Sequence, residues 1–310
     1  MQTSHSTLIS DRVRRFIFEQ RPVRGHWVHL QSAWDELRAH SDYPRAVNEL
    51  LGQAVAAAVL LAATLKFRGT LTFQLQGNGP VNLLVAQCSH DFRLRAVARC
   101  DEAALAALES SGAQEPLLRR LAGSDGRITV TVEAEEKSLR YQGVVPLSGD
   151  SLAESLEAYF ATSEQLPTRV VLAADERRAA GMLVQRLPGA EDDLGEEPVE
   201  AWADAGRGIE RIGFAQLLGA PVEQVLAHAF TGQDVRLFRG SPVRFECRCS
   251  PGRVAGVLRA LGAGEVRDVL REQGSVTVTC EFCHRPYRYD SIDIEALFID
   301  APGSGRAPLH

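Results

Sequence analysis

Several signals are absent from this 310-residue sequence. The opening stretch, MQTSHSTLISDRVRR, has no basic start followed by an apolar segment, so no export signal is expected and the predicted location is cytoplasmic. No apolar run approaches the roughly 20 residues of a membrane span. The longest nearly apolar one, Ala54–Leu65, reads as a buried core helix, and no membrane partner is expected. There is no G-x-x-x-x-G-K-[ST] loop to cradle a nucleotide phosphate, and no G-x-S-x-G or H-E-x-x-H arrangement. The resulting expectation is a protein that is not an enzyme and works without ATP. A basic excess is also missing: 34 Lys and Arg oppose 40 Asp and Glu, a net charge of -6, which weighs against nucleic acid as a partner. Methionine occurs only as Met1 and Met182, which leaves little choice of thioether ligand for a haem iron.

What remains is a globular composition, 45% hydrophobic and 24% charged, in a chain long enough for two domains. The predicted class is α+β. RRFIFEQ and GHWVHL have strand character on either side of Pro22. From Val47 to Leu65 apolar residues recur at helical spacing. GTLTFQLQ alternates as a strand, GNGP turns, and VNLLVAQ continues as another. RITVTVEAE and LRYQGVVPL form a further antiparallel pair, a helix spans about Ser151 to Ser163, and RVVLAAD with AAGMLVQRLPG closes a mixed N-terminal domain over residues 1–190.

The character then changes. Six carboxylates and no base lie between Glu191 and Glu200, the mark of a solvated linker. Short helical patterns run from Trp202 to Phe238, broken by glycines in GRGIERIGFAQLLGAP that lower helix propensity. Residues 191–240 therefore read as a linker that folds only by leaning on its neighbours. Residues 241–310 hold two short amphipathic helices, then SVTVTCEFCHRPYRYD as strand, tight turn and strand, then a last helix capped by Asp290 or Ser291, with a disordered tail.

Four of the six cysteines fall in that last quarter: Cys247 and Cys249 in FECRCSP, Cys280 and Cys283 in TCEFC. Cys88 and Cys100 stand alone in strand-like surroundings and read as small core residues. CEFCH is open to three interpretations: a c-type haem attachment, a thiol redox motif, or half of a zinc site. Haem needs export and an axial ligand, and leaves Cys247 and Cys249 unassigned. A thioredoxin-type motif belongs beside a βαβ unit, whereas this one sits in a hairpin. Four thiolates on the two sides of an excursion of about thirty residues suit tetrahedral zinc, and a segment this small needs a staple. His284 then belongs on the surface, or else replaces one cysteine as ligand. Zinc held by four thiolates remains oxidisable, and each sulfur has a partner within a few residues for a local disulfide. Arg244, Arg248, Arg253, Arg285 and Arg288 are close in sequence and would favour thiolate if close in space. Two rival readings stand beside this one. One is a structural zinc knuckle presenting Arg285, Tyr287, Arg288 and Tyr289 to nucleic acid or a protein partner; the other is an oxidoreductase using Cys280 and Cys283.

The chain resembles the bacterial 33-kDa heat-shock protein family. The resemblance rests on the C-x-C and C-x-x-C pairs and on DYP (42–44), LLAATLKF (60–67), FQLQG (73–77), RYQGVV (140–145), SEQLPTR (163–169) and AAGMLVQRLPG (179–189). It implies a redox-regulated, ATP-independent holdase of the stress response. The parts are an N-terminal client-binding domain, a metastable linker and a C-terminal zinc switch, with one zinc per chain on Cys247, Cys249, Cys280 and Cys283. Under oxidants the same residues would pair as Cys247–Cys249 and Cys280–Cys283 and release zinc. The linker would unfold, and unfolding client proteins would be bound, commonly by a homodimer. Two departures stand out: His284 sits where the family often has a small or polar residue, and the linker is unusually rich in glycine and arginine.

Given that pairing, chain geometry sets an order. Cysteines two apart in extended chain have Cα atoms near the upper limit of about 6.8 Å for an unstrained disulfide, and a three-residue turn brings them closer. Cys280–Cys283 is expected to form before Cys247–Cys249. Mass mapping of partly oxidised protein checks this; a C-x-C disulfide appearing first refutes it.

Overall fold

A computed structural model of the chain describes residues 11–110, 116–136, 140–187 and 197–299. Of the predicted features, acidic residues 191–196 and the tail from Asp300 lie outside them. Contacts divide the chain into two compact units, one ending at Glu246 and one beginning at Cys247.

The first unit opens with strands β1 (Arg12–Phe18) and β2 (Val23–Leu30), helix α1 (Ser32–Arg38) and the long helix α2 (Arg45–Thr64). Strands β3 (Gly69–Gln76), β4 (Val81–Ser89) and β5 (Arg93–Cys100) follow, then helices α3 (Glu102–Ser110) and α4 (Leu117–Ala122) and strands β6 (Arg127–Ala134) and β7 (Arg140–Pro146). Helix α5 (Leu152–Tyr159) runs into a π-helical turn at Phe160–Glu164 before β8 (Thr168–Ala174) and β9 (Ala179–Arg186). After these come α6 (Glu197–Glu210), α7 (Phe214–Gly219) and α8 (Val222–Ala229), then three short strands, β10 (Val235–Leu237), β11 (Ser241–Pro242) and β12 (Arg244–Phe245). The second unit contains α9 (Pro251–Leu261), α10 (Ala263–Gln273), the hairpin β13 (Val276–Thr279) and β14 (Pro286–Tyr289), and α11 (Ser291–Ile299).

Two sheets build the first unit. One has the order β10-β1-β2-β9-β8, with β11 also on β1; the other runs β12-β5-β4-β3-β6-β7. Helix α2 packs against strands of both, and its Leu51, Ala54, Ala58 and Leu61 belong to the main core. By length and composition α2 could cross a membrane, yet 78% of its most apolar window is buried inside the fold. The reading of Ala54–Leu65 as a core helix holds as far as Thr64, within a helix that starts earlier; Leu65 lies past its end and is exposed.

Strand periodicity explains why β8 and β9 read as nearly continuous apolar runs. Side chains alternate across a strand. Val170, Leu172, Ala179 and Leu183 face the core shared with α2, while Val171, Ala173, Ala180, Met182 and Val184 face the other way. Phe16, Phe18, Val23 and Trp27 join them on that outer face. Helices α6, α7 and α8 cover it with Ala205, Ile209, Ile212, Leu217, Val225 and Phe230. Phe230 meets the rings of Phe18 at 4.9 Å and Phe16 at 5.8 Å. The sheet is thus apolar on both faces.

The cover is not self-sufficient. Helices α7 and α8 have six and eight residues, below the roughly 12–15 an isolated helix needs. Polar ties pin it at its edges: Arg14 to Glu223 at 2.7 Å, Arg21 to Asp204 at 3.0 Å, and Nε2–H of buried His29 to the Leu218 carbonyl at 2.9 Å. Beyond the cover, Val235–Leu237 is a strand on β1 and not the end of a helical stretch. Then β12 lies parallel on β5. Glu246, the last residue of this unit, accepts from Arg93 at 2.7 Å, and Arg93 also holds Asp91.

The glycines of α6 differ in cause. A Cβ on Gly208 would lie 2.6 Å from the Phe230 ring, so glycine allows the close approach that seats Phe230. A Cβ on Gly206 would meet nothing nearer than 3.8 Å, so glycine there only lowers helix propensity. Gly206→Ala is therefore expected to stabilise the cover by up to about 1 kcal/mol, and Gly208→Ala to destabilise it. Amide hydrogen exchange should slow across α6–α8 in the first variant and quicken in the second, with α2 unchanged in both.

Candidate metal centre

The second unit has a small core of Val254, Leu258, Val266, Val276, Tyr287, Ile294 and Leu297. Two segments at its edge carry the cysteines. Cys247 and Cys249 lie in chain without regular secondary structure just before α9, whose N-terminus is capped by the Ser250 hydroxyl accepting from the Arg253 amide. Cys280 and Cys283 lie in the turn between β13 and β14. The Cys280 amide donates to the Arg285 carbonyl at 3.0 Å, and the His284 amide to the Cys280 carbonyl at 2.8 Å. His284 adopts a left-handed φ of 50°, and its side chain is exposed. Asp290 caps α11, accepting from the amides of Ile292 and Asp293.

The fold brings all four sulfurs within 4.8 Å of one another. Two close pairs cross between the segments, Cys247 to Cys280 at 3.6 Å and Cys249 to Cys283 at 3.4 Å. Four sulfurs each about 2.3 Å from a tetrahedral metal would be about 3.8 Å apart. The observed separations bracket that figure, so the donor set and its geometry fit one ion. His284 is not in the cluster. Cys88 is buried on β4 and Cys100 partly buried on β5, outside the cluster, and neither forms a disulfide.

The thiols differ. Burial pushes Cys247 up, against the backbone amide of Cys249. Burial, with hydrogen bonding to the other thiols, pushes Cys283 up to about 12. Burial also opposes ionisation of Cys249, but hydrogen bonds from Tyr287 and the other three thiols outweigh it and bring it down to about 7. One negative charge is thus held by a ring of donors. Of the arginines expected to help, Arg285 bears on the cluster in two ways: its side chain acts on the Tyr287 hydroxyl, and its backbone acts on a thiol. The Arg285 backbone amide favours the Cys283 thiolate, because a tight turn aims its N–H groups at the sulfur it encloses. Arg244 is committed instead to Glu246 and Asp91, at 3.5 and 3.8 Å.

Sequence reasoning missed the part played by Tyr287. Its side chain is only 9% exposed, and its hydroxyl donates to the Cys249 sulfur at 3.0 Å. It therefore has no free face on which a nucleotide base could stack. The Tyr289 hydroxyl donates to the Pro251 carbonyl at 3.2 Å. The alternation in PYRY, exposed, buried, exposed, half-buried, was the available signal.

The family model described as Hsp33 protein matches residues 11–290. The chain is 40% identical to the 33 kDa chaperonin of Nitrosococcus oceani over 290 residues, covering 94% of this chain and 95% of that one. It is 39% identical to the 33 kDa chaperonin of Methylobacillus flagellatus over 300 residues, covering 96% and 98%. The crystal structure of the 33 kDa chaperonin of Thermotoga maritima superposes with a TM-score of 0.74 over 93% of this chain and 98% of that one. At 22% identity that last match speaks for the fold alone.

The thiol ordering has a measurable consequence. A metal takes thiolates, so every thiol still protonated must release its proton on binding. Cys247 and Cys283 are raised and carry protons near pH 8, whereas Cys249 is largely ionised there and protonated below about 7. Uptake of a metal ion by all four sulfurs should release at least two protons at pH 8 and about one more below pH 7, with apparent affinity falling as pH falls. Calorimetry in buffers of different ionisation enthalpy measures the count; a count that stays constant across this range refutes the ordering.

Proposed function

The chain belongs to the Hsp33 family, and from that premise we propose that it is a holdase switched by the oxidation of Cys247, Cys249, Cys280 and Cys283. The observation that carries the reading is the convergence of these four sulfurs within 4.8 Å in a unit whose own core is small. In the reduced chain they would hold one zinc ion, which when bound supplies a cross-link between the C-x-C segment and the hairpin turn. Structural zinc contributes on the order of 10–16 kcal/mol to folding, as much as the whole stability of a typical domain at about 5–15 kcal/mol. Without it this unit is not expected to stay folded.

Oxidation would pair Cys247 with Cys249 and Cys280 with Cys283. Each disulfide takes two thiolates, one peroxide and two protons and yields two waters, so two oxidant molecules remove all four metal-binding thiolates. Glu246 immediately precedes Cys247 and ends the segment that carries the cover. Loss of order from Cys247 onward would free that end. Release of α6–α8 would then uncover Phe16, Phe18, Trp27 and Met182 on the sheet and the apolar faces of the helices themselves. Surface of that kind binds unfolding chains without nucleotide, because burial of apolar area alone drives the association.

In this reading residues 1–190 form the client-binding domain, 191–240 the releasable linker and 241–310 the switch. Clients are partly unfolded proteins, the active form is a homodimer, the location is cytoplasmic, and the thiols are consumed stoichiometrically without catalytic turnover. The experiment is suppression of aggregation of a thermally unfolding client, comparing reduced zinc-loaded chain with peroxide-treated chain while released zinc is followed. Oxidation is expected to free about one zinc per chain and to turn suppression on. Equal behaviour of both forms with the zinc still bound would reduce the cluster to a structural staple.

A further inference from the structure

Tyr287 touches the sulfur cluster and has no part in the disulfide chemistry of the switch. It is anchored by its ring in the second unit's core, opposite Val278 in the hairpin. Its hydroxyl reaches across 38 positions of sequence to the sulfur of Cys249, at 3.0 Å. It thereby ties the hairpin that carries Cys280 and Cys283 to the C-x-C segment, independently of any bond through a metal. Tyr289, two residues on, offers a built-in comparison, since its hydroxyl is spent on a backbone carbonyl and not on sulfur.

We propose that the Tyr287 hydroxyl is a positioning donor to the metal-bearing Cys249 sulfur, tightening metal retention and holding back the oxidation of that one cysteine. The inference rests on the preceding assignment of the four cysteines as ligands. A hydroxyl that donates to a thiolate draws on a sulfur lone pair, and that electron density is what attacks an oxidant. In the attack on peroxide an S–O bond forms and the O–O bond breaks; with one proton the products are a sulfenic acid and water. A neighbouring thiolate then displaces the sulfenic oxygen, which leaves as a second water after taking up a second proton. A sulfur whose lone pair is engaged by a phenol is slower in the first step. The same donor fixes the orientation of the ligand, and outer-shell partners of this kind are worth about 10–100-fold in metal affinity.

The effect on oxidation is local and its direction is defined. Attack is favoured at sulfurs other than Cys249, so the C-x-C segment stays tied to the hairpin until oxidant has reacted elsewhere. The phenol thus sets a threshold: exposure to oxidant must be high enough or long enough to reach the protected sulfur.

The test uses full-length chain as wild type, Tyr287→Phe and Tyr289→Phe, each loaded with zinc and, separately, saturated with cobalt(II) as a coloured reporter. Phenylalanine keeps the ring that fills the core, so each substitution removes a hydroxyl only. In Tyr287→Phe the sulfur-to-cobalt charge-transfer band is expected to move to lower energy, a shift that loss of packing alone does not produce. Zinc should pass to a competing chelator with an affinity loss on the order of 10-fold. Under limiting peroxide, mass spectrometry should find Cys249 oxidised earlier than in wild type. Tyr289→Phe should match wild type in all three measurements. A Tyr287→Phe chain that matches wild type, or a Tyr289→Phe chain that shifts equally, overturns the proposal and leaves the zinc-switch reading intact. A reduced wild-type chain that binds no metal overturns both.

Discussion

A β-sheet that is apolar on both faces must be covered on both, and much of this molecule follows from that constraint. One face of the β10-β1-β2-β9-β8 sheet is served by α2 and the second sheet, a permanent arrangement built from long elements. The other is served by α6, of 14 residues, and by the short α7 and α8, tied at their edges by exposed or half-exposed ion pairs. Such pairs are each worth little, about 0–1 kcal/mol. The cover is held chiefly by the apolar surface it hides, so anything that loosens one end competes with a modest free energy spread over a long segment.

The second unit meets a different difficulty. Among the described residues, seven buried apolar side chains with partly buried neighbours face the chain entropy of about fifty ordered residues, which costs on the order of 1–2 kcal/mol each. On the zinc-switch reading proposed above, a metal on the four converging sulfurs would supply what the core lacks. The residues that would make the unit foldable are then also its most oxidisable ones. Stability and sensing would fall on the same atoms, so that a chemical change there would also be a structural one.

Much of this was legible in the sequence because it depends on local pattern. Alternation in GTLTFQLQ and RITVTVEAE, helical spacing after Val47, and the two cysteine pairs each carry their meaning within a few residues, and the strands, core helix and hairpin lie where expected. What was not legible depends on distant partners. Helix α1 is capped by Asp11, twenty residues upstream, whose carboxylate accepts from the amides of Gln31, Ser32 and Ala33. Strands β10, β11 and β12 are two or three residues long and exist only because β1 and β5 offer edges. Gly208 looked like a helix weakness and is a seat for Phe230. At the cluster, spacing gave the four sulfurs but not the phenol, because a tyrosine in an alternating strand looks the same whether its hydroxyl meets water or sulfur.

The ion cluster at the end of the first unit adds a second physical variable. Arg93, Asp91 and Glu246 all keep more than a third of their side-chain surface in water, and attractions between exposed charges weaken as ionic strength rises. Glu246 is joined by one peptide bond to Cys247. Raised ionic strength, which touches no thiol, would thus weaken the ion pair that holds the residue immediately before the first sulfur.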